Sequence, residues 1–237
     1  MEVDDNSDSS MTSPAGSGTQ SARIASIEEE LSSPDRVIML SDGVFAIILT
    51  ILVLELRVPH DLSRASLGQA VHDLRPTLIA WVLSFLIIGM YWMAHRDIFA
   101  RVWAVNRDLV WLNLLFLLPC ALIPFASSVL GEYPDDAKAV RFYGLVVIVV
   151  SVMRLFLYWY VIRHPRLLRP GALSAHSAQG VVLIMVPVAV YIVAMVVAEV
   201  SPMAGIIIFM SVPAIYFGAV TIARERGGGH VEAEDFS

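Results

Sequence analysis

Residues 36–59 read RVIMLSDGVFAIILTILVLELRVP, from Arg36 to Pro59. The stretch is almost continuously apolar, yet it carries Arg36 and Arg57, the triplet Ser41-Asp42-Gly43 and Glu55. A helix rises about 1.5 Å per residue, so a segment of this length reaches across a hydrocarbon core of about 30 Å. Carboxylates inside such a helix are rare and belong to paired or functional groups.

Five further apolar runs follow, at about Pro76–Phe99, Asp108–Leu130, Ala139–Ile162, Ala178–Val200 and Met203–Ile222. The chain of 237 residues is 57% hydrophobic with a mean hydropathy of +0.70. A soluble domain would be about 45–50% apolar, so the pattern predicts an all-α membrane protein with six transmembrane helices. Pro119 and Pro124 interrupt the third run, where membrane helices tolerate a kink. Arg154 lies within the fourth. A polar loop, His60 to Arg75, joins the first two runs, and a basic loop, Arg163 to Pro170, joins the fourth and fifth.

The net charge of −6 sits in the tails: residues 1–35 carry −7 and residues 224–237 carry −2, leaving +3 between them. That balance gives no nucleic-acid surface. The domain reading is a disordered acidic tail at 1–35, a six-helix domain at 36–224 and a short flexible tail at 225–237. One helical turn is expected near Ile27–Leu31. The start of the chain lacks the basic and apolar regions of a secretory signal, so the first targeting signal is the membrane helix itself. A single cysteine, Cys120, excludes an intramolecular disulfide and a cysteine-based metal cluster; in its apolar run it reads as a small buried hydrophobe.

Six helices put both termini on one side. With that side cytoplasmic, ten basic residues fall inside, among them Arg96, Arg101, Arg107, Arg163, Arg166 and Arg169. Five fall outside: Arg57, Arg64, Arg75, Lys138 and Arg141. The asymmetry predicts an N-in, C-in orientation.

On a helical wheel with Ile47 at zero, Ile51 falls at about 40° and Leu54 at about −20°, with Thr50 on the shoulder at about −60°. Ser41, Phe45 and Asp42 fall on the opposite side, at about 120°, 160° and 220°. The first helix therefore has an aliphatic stripe and a polar patch. From periodicity alone the stripe reads as ordinary lipid or helix packing. An unpaired buried charge is costly, so Asp42 needs partners. Trp92, His95, Asn113 and Arg154 lie at matching depth, and the sequence leaves open which of them pairs with it. Arg154 reads as a pairing or snorkelling arginine, because a voltage sensor needs a repeated series.

Arg36, Ser41-Asp42-Gly43-Val44-Phe45-Ala46-Ile47, Thr50 and Leu54-Glu55, together with Trp92-x-x-His95-Arg96 and the six-run layout, resemble the transmembrane protein 175 family of potassium channels. Leu40 stands where that family has Phe. The resemblance implies that the first helix lines a central pore, with Ile47, Ile51 and Leu54 as aliphatic constriction rings and Thr50 as a layer linked to potassium preference. It also implies a homotetramer of the single-unit prokaryotic type in the cell membrane. Arg36, Ser41, Asp42, Trp92, His95 and Asn113 are expected as a structural polar cluster that holds the pore helix.

The expected function is a potassium-preferring cation channel with potassium ions, further copies of itself and the bilayer as partners. No cofactor is expected, no metal beyond transient potassium, and no enzymatic activity, since nucleophile and metal-ligand motifs are missing. No Thr-Val-Gly-Tyr-Gly-like filter is present. The alternative is a secondary transporter or proton-coupled carrier using Asp42 and His95.

Overall fold

The computed structural model describes residues 32–56, 67–170 and 177–228. The expected N-terminal tail through Leu31, including the turn at Ile27–Leu31, lies outside the described residues, as do the last residues of the expected first run and residues 229–237 of the C-terminal tail. The described chain is helical: α1 (Asp35–Leu54), α2 (Leu67–Asp73), α3 (Arg75–Phe99), α4 (Arg107–Cys120), α5 (Ile123–Glu132), α6 (Ala137–Arg163), α7 (Ser177–Val197) and α8 (Pro202–Gly228), with a short 3₁₀ turn at Pro165–Leu167.

Local chemistry sets most of the boundaries. Asn106 caps α4, its Oδ1 accepting from the Leu109 amide at 3.0 Å, and Asp136 caps α6 by accepting from the Lys138 amide at 2.8 Å. Pro76, Pro124 and Pro202 each stand in a first turn, where a missing N–H costs nothing. The third run is broken between Cys120 and Ile123. Pro124 cannot donate to the Cys120 carbonyl and its ring clashes with it, so α4 ends there and α5 restarts. The segment read as a polar loop before Arg75 contains α2. The last helix continues to Gly228, four residues beyond the boundary read from the sequence.

Asp35–Leu54, Arg75–Phe99, the broken pair Arg107–Glu132 and Ala137–Arg163 are each long and apolar enough to cross a membrane, with mean hydropathies between 1.9 and 2.6. Ile184–Val197 and Pro202–Gly218 are shorter apolar stretches. This is a multi-pass membrane protein.

The helices α3, α4, α5, α6, α7 and α8 pack into one bundle. Small residues allow close approach, as expected where lipid removes the hydrophobic drive between helices. A Cβ on Gly205 of α8 would meet the Ala194 carbonyl of α7 at 2.8 Å, and one on Gly131 of α5 would meet the Thr77 Cα of α3 at 2.9 Å. The helix α1 rests against α3, α4 and α5, at one edge of the bundle.

Candidate functional site: the first helix and its clamp

Because α1 sits at the edge, its two faces have different surroundings. Val37, Ser41, Phe45, Ile48 and Leu52 are buried, at spacings of three or four residues that keep them on one side of the helix. Ile47, Ile51 and Leu54 are 58%, 40% and 67% exposed. A cavity of about 360 Å³ runs beside them, lined by Val44, Ile47, Ile48, Ile51 and Glu55 of α1 and by Ala121, Pro124 and Phe125 at the α4–α5 break.

The buried face is held by a hydrogen-bonded chain and an aromatic box. The Ser41 hydroxyl donates to the Val37 carbonyl at 2.8 Å and accepts from the Asn113 amide nitrogen at 3.0 Å. The Asn113 Oδ1 faces His95 Nε2 at 2.8 Å, and since that oxygen only accepts, Nε2 carries the proton. Asn113 and His95 are 1% and 2% exposed. A buried polar group must find partners, so this chain fixes the rotation of α1 against α3 and α4. Around it, Phe45 packs at ring-centroid distances of 5.9 Å from His95 and 6.1 Å from Phe116. The His95 ring stacks on Phe116 at 5.5 Å and lies 4.5 Å from Phe99.

Asp42 lies outside that chain. It is exposed, and its Oδ1 accepts from the Trp92 indole N–H at 2.8 Å. The Arg96 guanidinium in turn lies over the Trp92 ring, 5.7 Å from its centre. Arg36 is exposed and joins none of these bonds. Thr50 is exposed, and its hydroxyl donates to the Ile47 carbonyl at 2.8 Å. Ser41, His95 and Asn113 are thus brought together, Asp42 and Trp92 form a second pair, and Arg36 stands apart.

Arg154 is not part of either group. It is buried on α6, with its guanidinium 5.8 Å from the centre of the Tyr91 ring, whose hydroxyl bonds the Val147 carbonyl and Ser151 Oγ, each at 2.8 Å. Sequence reasoning passed over the aromatic box of Phe99 and Phe116. The signal was present in the i, i+4 spacing of His95 and Phe99 and in the three-residue step from Asn113 to Phe116, both of which stack side chains on one helix face. Among the described residues no cluster of His, Cys, Asp and Glu is arranged to hold a metal ion.

A family model described as the endosomal/lysosomal potassium channel TMEM175 matches residues 36–124, from the start of α1 into α5. A protein of Streptomyces collinus named as a potassium channel is 35% identical over 144 residues, 59% of this chain and 70% of the relative. The chain belongs to the TMEM175 family. A potassium channel of a Chryseobacterium species is 37% identical over 123 residues, covering 52% of this chain and 62% of the relative. The rat relative, named an endosomal/lysosomal proton channel, is 27% identical over 153 residues, and the match spans 31% of its length. The crystal structure of a lysosomal potassium-selective channel TMEM175 homolog from Chamaesiphon minutus superposes with a TM-score of 0.67 at 25% identity, covering 77% of this chain and 95% of that one. The TMEM175 family is one of ion channels, not enzymes, and the clamp and open face of α1 both lie inside the matched region.

Proposed function

We propose that the chain is one subunit of a homotetrameric, potassium-preferring cation channel whose ion path runs along the open face of α1. The observation that carries this is the division of α1 itself. Its far side is fixed by buried hydrogen bonds and rings, while Ile47, Ile51 and Leu54 stand exposed on the near side. Four such faces around an axis would form aliphatic rings that dewet and constrict a pore. Thr50 adds a polar layer at that level. Its proton is committed to the Ile47 carbonyl, so its oxygen lone pairs remain for a dehydrated cation. Asp42, Ser41, Trp92, His95 and Asn113 hold the helix rather than touch the ion, and Arg36 marks its cytoplasmic start.

In this reading each subunit has six spans with both termini in the cytoplasm, within 36–224, and acidic segments at 1–35 and 225–237, of which 225–228 extend the last helix. It resides in the cell membrane, with potassium and three further copies as its partners. The bacterial relatives named as potassium channels support the potassium preference, and the positive-inside asymmetry supports the orientation.

Potassium flux from purified protein in liposomes tests the proposal. Electrodiffusive current that follows the potassium gradient, and that rises in Ile47→Asn and Leu54→Ala, is the expected result. Saturable, proton-driven exchange that is lost in Asp42→Asn and unchanged in Ile47→Asn would replace the channel with a carrier. A stable monomer in detergent would remove the four-helix pore.

A further inference from the structure

The end of the bundle where α1 begins carries a small platform built from two connections. Backbone bonds tie residues 101–105 to 167–169: the Trp103 amide donates to the Leu167 carbonyl at 3.0 Å and the Arg169 amide to the Arg101 carbonyl at 2.8 Å. The Trp103 indole N–H also reaches the Arg166 carbonyl at 2.8 Å. Arg101, Arg107, Arg163, Arg166 and Arg169 lie on or beside this platform with no acid in residues 100–107 or 163–170. All but Arg101 are exposed. Among the described residues none of the five forms an ion pair; Arg163 stacks on Trp159 at 4.8 Å.

The chain reaches α1 by crossing this platform. Ser32 exchanges two backbone bonds with Val105, at 2.9 and 2.8 Å, in an antiparallel bridge. Immediately before it stand Glu28-Glu29-Glu30. An extended chain spans at most about 3.3–3.6 Å per residue, so Glu30 lies within about 7 Å of Ser32 and Glu28 within about 14 Å. Charge and connectivity coincide: three carboxylates are tethered near arginines that form no ion pair among the described residues, and tethering raises their effective concentration there.

We propose that Glu28-Glu29-Glu30 of the same chain docks on the arginines of this platform, chiefly Arg101, Arg107 and Arg169, as an electrostatic latch. The latch fixes the start of α1 through Ser32, and so sets the register in which the helix enters the bundle. Its pairs are solvent-facing, so each is weak, and the three act together only at low ionic strength.

Hydrogen exchange of amides 27–32, followed by mass spectrometry on the full chain in phosphatidylcholine nanodiscs, tests the proposal. Exchange is expected to quicken about three- to tenfold in the variant E28Q/E29Q/E30Q, and similarly in R101Q/R107Q/R169Q. Wild-type exchange should quicken likewise when KCl rises from about 0.05 to 0.5 M. Reversing both sets together, glutamates to Arg and arginines to Glu, should restore protection. Glutamine at 28–30 alters no residue of the packed helices, so unchanged exchange in that variant overturns the latch. The latch is equally overturned if, in a second set of nanodiscs assembled with added phosphatidylglycerol, the arginine variant loses the enrichment of that lipid seen with wild type while the glutamine variant exchanges as wild type; the platform then serves lipid headgroups. Neither result depends on ion flux, so the latch and the channel stand or fall separately.

Discussion

The two faces of α1 are built from similar residue types and have opposite fates. On one, Phe45, Ile48 and Leu52 are buried against α3, α4 and α5; on the other, Ile47, Ile51 and Leu54 stand exposed. Hydrophobicity does not distinguish them, since both are aliphatic or aromatic. The difference lies in one serine. Ser41 donates to the Val37 carbonyl of its own helix, and what ties it to the neighbouring helices is the buried Asn113 amide, which must find partners and finds Ser41 Oγ and His95 Nε2. A polar group thus sets the rotation of a helix whose apolar residues would pack either way.

That contrast predicts a graded series of effects, which thermal unfolding in detergent measures. Phe45→Ala removes the ring between His95 and Phe116 and should cost the most, about 3–5 kcal/mol. Asn113→Ala leaves the buried His95 N–H without its partner and removes the bond that Ser41 Oγ accepts, while the Ser41–Val37 bond remains, and should cost about 2 kcal/mol. Adding Ser41→Ala to it should cost little more, because the two act through one chain. Trp92→Phe keeps the ring and deletes the N–H that Asp42 accepts; as Asp42 is exposed, the loss should be about 1 kcal/mol. At the other end, Ile47→Asn should change stability by no more than about 0.5 kcal/mol. If Ile47→Asn unfolds the protein as readily as Phe45→Ala does, the two faces are not distinct and the open face is a packed one.

The clamp was partly legible in the sequence. The wheel placed Ser41 and Asp42 away from Ile47, and the depth of Trp92, His95 and Asn113 marked them as neighbours. It did not say which would pair. Ser41 and Asp42 are adjacent in sequence but about 100° apart around the helix, enough to send one into the bundle and leave the other at its edge. Arg154 was a candidate partner by depth alone; a helical depth fixes one coordinate and leaves the direction open, and α6 points Arg154 at Tyr91. The short helix at Leu67–Asp73 escaped notice because seven residues carry too little periodicity to stand out from a polar connection. Cys120 lies buried at the end of α4, where the proline at 124 stops the helix.

By itself the sequence determined that this is a multi-pass helical membrane protein, where its longest spans lie, and that its first helix carries two unlike sides. Those properties follow from local quantities, namely hydropathy, helical period and the missing N–H of proline. Only the tertiary structure decided that α1 lies at the bundle edge with Ile47, Ile51 and Leu54 uncovered, that Asn113 rather than Asp42 joins Ser41 to His95, and that Ser32 crosses an arginine platform on its way into the helix. Each of these depends on which elements become neighbours, and that is settled by close packing and by the demand that every buried polar group be paired.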